Sequence, residues 1–455
     1  MAGAEAARSA RRSGTREVRA RPGKRAPEAL TRMPSHGAAD TLDARGRHGR
    51  VSRTSRRVAA ALLHNPPMEI AAVEARWLRA PIPEAGQHTS DFGRLRTFDA
   101  VLVTVRTKDG AEGFGEAKAA VGSAGDCASL VTTVERELGP ALIGRDPRRI
   151  TEAWERMYCG QRGGLALDRG RSFPDVARRG PRVAAIGAID TALWDLAGQA
   201  HRVPVVELLG GACRDAMPAY ASGGWGDVDR IGDELGAFVE RGFRAVKMRV
   251  GAMDRRVETS AARTLAARAA LGPDVELMVD SHGTFSLPEA KRFARMVESA
   301  NLRWFEEPTP LDDVEAAAEL RASTDIPIAV GESLSTRFEF RDVLERRAAD
   351  VLQPDVALVG GITEARRVAA LAETAQVELA PHLWGSAVSY LAGLHVAFAS
   401  PAARILEVSL GANPLLRELP EWPPIVEDGQ VKAPEGPGLG FRPRKELVDE
   451  WTVPL

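Results

Sequence analysis

Seven polar residues in the second half of the chain each close a short apolar run. Neighbouring members of the set stand between 23 and 33 residues apart, and most of them are carboxylates. Carboxylates that meet in a dry interior repel one another unless a cation joins them, so the set predicts a metal site. The seven strand-end residues are Lys247, Asp280, Glu306, Glu332, Asp355, His382 and Glu407.

The interval itself indicates the elements that hold these residues. A strand, a helix and two short loops occupy about 25 residues, so the interval predicts a series of βα units. Such a series closes naturally into a (β/α) barrel of the α/β class. In that barrel the residue that ends each strand faces the end where active sites lie. The seven side chains are therefore expected to converge.

Three of the acids form the strongest candidate for metal ligands. Asp280, Glu306 and Glu332 end three successive predicted strands, and no cysteine lies near them. An all-oxygen set favours a hard divalent ion such as Mg²⁺. The alternative is that each acid caps the helix that follows it. Three acids at nearly equal intervals favour the metal.

The chain divides into four predicted parts. Residues 68–200 begin with strands, including a hairpin that turns at Asp109-Gly110, and continue as helices, which predicts an α+β domain. Within this part, Gly160–Arg182 is rich in Gly and Arg and is expected to be a long loop. The barrel is predicted over residues 201–415, with MPAYASGG as its first strand. The Pro- and Gly-rich residues 416–455 are expected to form a tail that packs back on the first domain.

Charge is distributed unevenly along the 455 residues. Residues 1–67 contain 14 Arg and 1 Lys against 5 acidic residues, whereas the whole chain has a net charge of −1. We expect residues 1–67 to be an unstructured basic extension, with a start-codon artefact as one explanation and a functional arm as the alternative. No run of about 18 apolar residues predicts a membrane helix. Three scattered cysteines indicate reduced thiols in a cytoplasmic protein.

Motifs along residues 68–442 resemble the enolase superfamily, in its mandelate racemase and muconate lactonising enzyme branch. The matching motifs are ALWDLAGQ, PVVELLGG, FRAVKMR, MVDSHG, FEEP, VGES, QPDVALVGGIT, APH and LE. The resemblance implies a modified TIM (β/α)7β barrel whose mouth is covered by the N-terminal α+β capping domain. It also implies Mg²⁺ on Asp280, Glu306 and Glu332, holding the carboxylate of a substrate.

The resemblance assigns catalytic roles to further strand-end residues. His382 is expected to remove the proton α to the substrate carboxylate, and Asp355 is expected to hold its imidazole and keep it basic. Glu407 is expected near the substrate carboxylate, where crowding by like charge favours its protonated form.

Two residues depart from the pattern of racemases in this branch. Arg249 stands where racemases often carry the second lysine of Lys-x-Lys, and arginine is a poor base but a good clamp. A surface or interdomain ion pair is the alternative for Arg249. His282 stands where racemases carry asparagine, and some sugar-acid dehydratases use a histidine there as the acid. Its alternative is to hold Asp280.

Together these features predict a magnesium-dependent hydro-lyase that dehydrates a sugar acid to a 2-keto-3-deoxy acid. His382 would remove the α-proton, and His282 or Lys247 would assist loss of the β-hydroxyl. A racemase, epimerase or cycloisomerase of the same family is the closest alternative, and a non-catalytic acid-binding barrel is a more distant one. We expect a homo-oligomer with a small sugar acid as ligand and with neither nucleic acid nor membrane as partner.

Overall fold

A computed structural model describes residues 68–87, 89–90, 93–120, 125–172, 174 and 179–455. The basic extension over residues 1–67 lies outside them. The described part of the chain begins with a three-stranded antiparallel sheet. Its strands are β1 at Ile70–Pro81, β4 at Thr97–Thr107 and β5 at Glu112–Ala117, and they lie in the order β1, β4, β5. The short strands β2 (Thr89–Ser90) and β3 (Gly93–Arg94) pair with each other. The predicted hairpin is present, and Gly110 supplies the positive φ angle that its turn requires.

Helices cover one face of this sheet. They lie at Ala128–Thr132, which continues as a π-helical stretch over Thr133–Leu138, and at Ile150–Cys159, Gly163–Arg169, Pro181–His201 and Val205–Leu208. Helix Pro181–His201 packs closely on β5, because a Cβ at Gly115 would overlap the carbonyl oxygen of Ala188. The loop prediction for residues 160–182 is wrong at Gly163–Arg169. Gly163 and Ala166, three residues apart, lie on the buried side of that helix, whereas Leu165 and Leu167 are exposed, and Gly170 ends the helix in the left-handed conformation.

Eight parallel strands follow and close into a barrel. Each strand pairs with its successor from β6 to β12, and β13 pairs with β6. The barrel closes between β12 and β13 through a parallel bridge that joins Leu379 to Ala403. The strands are β6 at Ala216–Ser222, β7 at Ala245–Arg249, β8 at Glu276–Asp280, β9 at Phe305–Glu306, β10 at Ile328–Val330, β11 at Val351–Leu352, β12 at Glu378–Leu379 and β13 at Leu406–Ser409.

Seven principal helices connect these strands, so the barrel is of the (β/α)7β type and the predicted fold class is confirmed. They lie at Ile231–Glu240, Val257–Leu271, Leu287–Met296, Val314–Arg321, Thr336–Glu345, Gly361–Ala375 and Ala387–Phe398, and a short helix, Val356–Val359, precedes the sixth. Alternate strand residues point inward and outward. The inward set fills the barrel with Tyr220, Ala245, Met278, Trp304, Ala329, Val351, Ala380 and Ile405. The outward set packs against the helices.

The segment after the barrel returns to the N-terminal sheet. Helix Pro414–Arg417 precedes strand β14 (Gln430–Lys432), which pairs antiparallel with β6. Helix Lys445–Trp451 then lies beside β1, where the backbone N–H of Val453 donates to the carbonyl of Trp77 at 2.8 Å. Across the described ranges, no helix has both the length and the apolar character that crossing a bilayer would require.

Candidate active site

The three predicted metal ligands meet at the C-terminal end of the barrel strands. Asp280 ends β8, Glu306 ends β9, and Glu332 follows β10 by two residues. Asp280 and Glu306 continue the inward-facing rows that begin with Met278 and Trp304, so both carboxylates point into the barrel. One oxygen from each of the three acids lies within 4.8 Å of the others. All three side chains are buried.

Partners within the protein are shared unequally among these acids. Glu306 Oε2 accepts hydrogen bonds from Gln353 Nε2 at 2.7 Å and Trp304 Nε1 at 3.0 Å, and its Oε1 pairs with Lys247. Burial raises the pKa of Glu306, but the charge of Lys247 outweighs burial and the pKa is lowered. Glu332 Oε2, by contrast, accepts no hydrogen bond from any residue within the described ranges. A buried carboxylate oxygen without a hydrogen-bond donor is suited to bind a cation.

Two cations lie against the same acids. Lys247 Nζ is buried beside Glu306, 3.1 Å from Glu407 Oε1 and 3.6 Å from Asp280 Oδ2. Burial alone would lower the pKa of Lys247, but Glu306 and Glu407 raise it above its ordinary value, so Lys247 carries its proton. Arg249 forms an ion pair with Asp280.

Arg249 also has an aromatic neighbour. Its guanidinium lies 5.5 Å from the ring centre of Trp384, and Trp384 in turn makes an edge-to-face contact with Trp225. Both tryptophans lie at this end of the barrel, Trp225 after β6 and Trp384 after β12. The ion pair of Arg249 is therefore buried in the site rather than placed on the surface.

A histidine–aspartate pair lies opposite the cations. His382 Nδ1 lies 2.7 Å from Asp355 Oδ2, and its other ring nitrogen, Nε2, lies 3.4 Å from Glu332 Oε2. Burial lowers the pKa of His382, but Glu332 and Asp355 together raise it above its ordinary value. Nε2 thus faces the acids, while Nδ1 is held by Asp355. That orientation suits a base directed at a ligand on the triad.

Glu407 differs from the expectation that it is protonated. Lys247 lies 3.1 Å from its Oε1, and the N–H of Leu383 donates to its Oε2 at 2.9 Å. Burial raises the pKa of Glu407, but Lys247, His382 and Arg249 outweigh burial and lower it well below its usual range. The expectation was wrong because the nearby cations outweigh the like charges. Glu407 is a carboxylate that holds Lys247.

His282 lies beside Asp280. Its backbone N–H donates to Asp280 Oδ1 at 3.0 Å, and its Nε2 lies 3.5 Å from Asp280 Oδ2. The φ angle of His282 is +46°, a left-handed conformation that is uncommon for a residue other than glycine. Strained backbone of this kind is concentrated at functional sites. The contacts are compatible both with an acid and with a residue that holds Asp280.

Several residues of the site were not predicted from the sequence. Lys118, which follows β5, reaches Asp355 Oδ2 at 2.6 Å. Glu307 lies next to Glu306 and accepts a hydrogen bond from Ser333 at 2.8 Å; burial and then the charge of Glu332 raise its pKa to about 8. The sequence contains one indication of Lys118. It stands two residues after Glu116, so both side chains lie on one face of an extended segment. The polar loop residues His88 and Asp91 lie outside the described residues, as does the side chain of Ser90.

Comparison with known proteins agrees with this site. Residues 67–210 match the family model for the mandelate racemase and muconate lactonizing enzyme N-terminal domain, and residues 230–447 match the enolase C-terminal domain-like model. A D-galactonate dehydratase of Ralstonia nicotianae is 36% identical over 77% of this chain and 90% of its own length. A D-galactarolactone cycloisomerase of Agrobacterium fabrum is 32% identical over 78% of this chain and 91% of its own.

A solved structure extends the likeness to the fold. A racemase from Streptomyces coelicolor A3(2), with bound magnesium, superposes with a TM-score of 0.73 at 30% identity, covering 84% of this chain and all of its own. The chain therefore belongs to the mandelate racemase and muconate lactonizing enzyme branch of the enolase superfamily.

Proposed function

We propose that this protein is a magnesium-dependent hydro-lyase that dehydrates a polyhydroxylated sugar acid to a 2-keto-3-deoxy acid. The observation that carries the proposal is the position of His382, whose free ring nitrogen lies 3.4 Å from Glu332 of the acidic triad. A substrate carboxylate held at the triad would thus present its α-carbon to a base. The identity with a sugar-acid dehydratase at 36% supports the same reaction.

The triad fits magnesium. Asp280, Glu306 and Glu332 would hold the ion, since they offer only oxygen ligands and Glu332 Oε2 has no hydrogen-bond donor among the described residues. When bound, magnesium supplies positive charge that holds the substrate carboxylate and offsets the charge gained on deprotonation.

Proton abstraction falls to His382. Its Nε2 takes the α-proton as the C–H bond breaks, and the electron pair moves into the carboxylate to give an enediolate. Asp355 holds Nδ1 and stabilises the imidazolium that forms. Lys247, which carries its proton, and the guanidinium of Arg249 lie where negative charge develops and lower the cost of the step.

Loss of water completes the reaction. The enediolate electrons re-form the carbonyl of the carboxylate and the Cα–Cβ double bond, while the β-hydroxyl leaves with a proton as water. His282 or Lys247 donates that proton, and the resulting enol becomes the 2-keto acid when C3 is protonated. Arg249 is a poor second base, so transfer of a proton on both faces, which racemisation needs, is disfavoured.

A cycloisomerase is the second candidate, favoured by the 32% identity with the Agrobacterium enzyme. The test is incubation of the Mg²⁺-loaded protein with a panel of sugar acids in D₂O, beginning with D-galactonate and arabinonate. We expect a semicarbazide-reactive 2-keto acid, which His382→Asn abolishes. Isotope exchange with inversion and no keto product would refute dehydration, and consumption of a lactone without keto product would support cycloisomerisation.

The remaining parts of the proposal concern the assembly. We propose that residues 68–200 act as the capping domain of a cytoplasmic homo-oligomer whose ligand is a small sugar acid. Sedimentation of the purified protein measures the assembly directly, and a monomer at enzyme-assay concentrations would contradict it.

A further inference from the structure

A lysine from the N-terminal sheet reaches into the barrel behind the proposed base. Lys118 directly follows β5, and its ammonium is only 2% exposed. Nζ donates to Asp355 Oδ2 at 2.6 Å and to the backbone carbonyl of Trp384 at 2.6 Å. Trp384 stands two residues after His382. Lys118 therefore contacts both the carboxylate that holds the base and the loop that carries it.

Glu116, which lies in β5 two residues before Lys118, holds the other end of that loop. Glu116 accepts hydrogen bonds from the N–H groups of Ser386 at 3.1 Å and Ser389 at 3.0 Å, and from the Ser386 hydroxyl. These donors lie at the N-terminus of helix Ala387–Phe398, where a negative charge is favourable. The loop from His382 to Ser386 is thus held at two points by β5 and the residue after it.

Both carboxylate oxygens of Asp355 have partners within the protein. Oδ1 accepts the N–H of Ala357 at 2.8 Å, while Oδ2 is shared between Lys118 and His382 Nδ1. Burial raises the pKa of Asp355, but Lys118 and His382 outweigh it and the pKa is lowered, so the group remains a carboxylate. The backbone N–H of Ala357, the ammonium of Lys118 and the imidazole of His382 contact this carboxylate from three directions. Together they hold it in one orientation.

We propose that Lys118 is a positioning residue for the Asp355–His382 pair, through which the N-terminal domain sets the aim of the base. This inference rests on the proposed function, since it assumes that His382 removes a proton. Lys118 does not touch the triad or the cations on its far side. Its loss should therefore slow proton abstraction and leave substrate binding nearly intact.

The test is a double-mutant cycle on Lys118 and Asp355, run with the Mg²⁺-loaded full chain. We expect Lys118→Met to lower kcat and the rate of α-proton exchange in D₂O by about 10- to 100-fold, with KM changed less than about threefold. In an Asp355→Asn background, Lys118→Met should change the exchange rate by less than about threefold, because the two residues act as a unit. Lys291→Met, which breaks an exposed ion pair with Glu319, is the control and should leave kcat unchanged.

Each outcome decides the matter. Wild-type kcat in Lys118→Met, or an equal loss in both backgrounds, would overturn the proposal. If Lys118→Met is not recovered folded, the cycle is run with Lys118→Arg. Its planar guanidinium cannot place one nitrogen between Asp355 and Trp384 in the same way, so kcat should fall about three- to tenfold only when Asp355 is present. Failure of the proposed function can be told apart from failure of the positioning role, because in the first case the wild-type protein itself would exchange no α-proton.

Discussion

The unequal sharing of partners among the triad predicts that one substitution changes the free energy of unfolding differently with and without magnesium. Asp280 pairs with Arg249 and Glu306 pairs with Lys247, whereas the one ion-pair partner of Glu332 in the described part of the chain is His382, with Nε2 at 3.4 Å. Glu332→Gln removes the least compensated of these buried charges. In metal-free protein we expect the free energy of unfolding to rise by about 1–3 kcal/mol, the usual cost of an unsatisfied buried polar group.

Magnesium cancels most or all of this advantage of the variant. A ligand at 100 times its Kd stabilises a protein by about 2.7 kcal/mol. If Glu332→Gln weakens Mg²⁺ binding about 100-fold, the same concentration stabilises the variant by only about 0.4 kcal/mol. The wild-type protein should gain about 2 kcal/mol more from the ion than the variant does.

Urea unfolding measures both effects, once in EDTA and once in saturating MgCl₂. Glu298→Gln, at an exposed position, is the matched control and should leave both values unchanged. Equal stabilisation of Glu332→Gln and wild type by MgCl₂ would refute the assignment of Glu332 as a ligand. A metal-free variant less stable than wild type would show that His382 compensates Glu332 fully.

Two further predictions concern the framework. His395 is buried, accepts the N–H of Val206 at Nδ1 and lies 3.3 Å from the Leu439 carbonyl through Nε2; burial lowers its pKa to about 4. Stability from this group is complete above about pH 6.5 and is lost as the pH falls to about 4, a change on the order of 3 kcal/mol. Urea unfolding between pH 7.5 and 4 should show a shallower acid slope for His395→Gln than for wild type, whereas the exposed His201→Gln should keep the wild-type slope; identical slopes would contradict the assignment. Gly115→Ala places a Cβ against the carbonyl of Ala188 and should destabilise by about 1–3 kcal/mol in thermal melts, while Gly164→Ala meets no atom and should not; a melting point unchanged in Gly115→Ala would mean that the helix can shift.

The barrel could be predicted because its signal is local. Each strand is an apolar run that ends in a polar residue, and parallel strands bring those ends together whatever lies between them. Asp280, Glu306 and Glu332 were found for this reason. The identity of the bound acid carries no such local signal, because it depends on which side chains the folded chain brings together around the triad.

Other features depend on distant partners. Lys118 and Asp355 are 237 residues apart, and nothing near either one shows that they meet. The ionisation of Glu407 was predicted wrongly because it depends on Lys247, which lies on β7, two strands away from β13 in the barrel and 160 residues away in the sequence. Helix Gly163–Arg169 was missed because its segment is rich in glycine and arginine, a composition that is typical of loops.

The return of the chain to its first strand has a consequence for how the protein is made. Arg76 of β1 pairs with Asp449 across 373 residues, and Thr452 bridges to Leu78. Contacts of such long sequence separation form late, because loop closure must precede them. On the ribosome, β1 must wait for nearly all of the residues that follow it before this edge is covered. Its exposed strand edge is then the segment that a nascent chain most needs to have shielded.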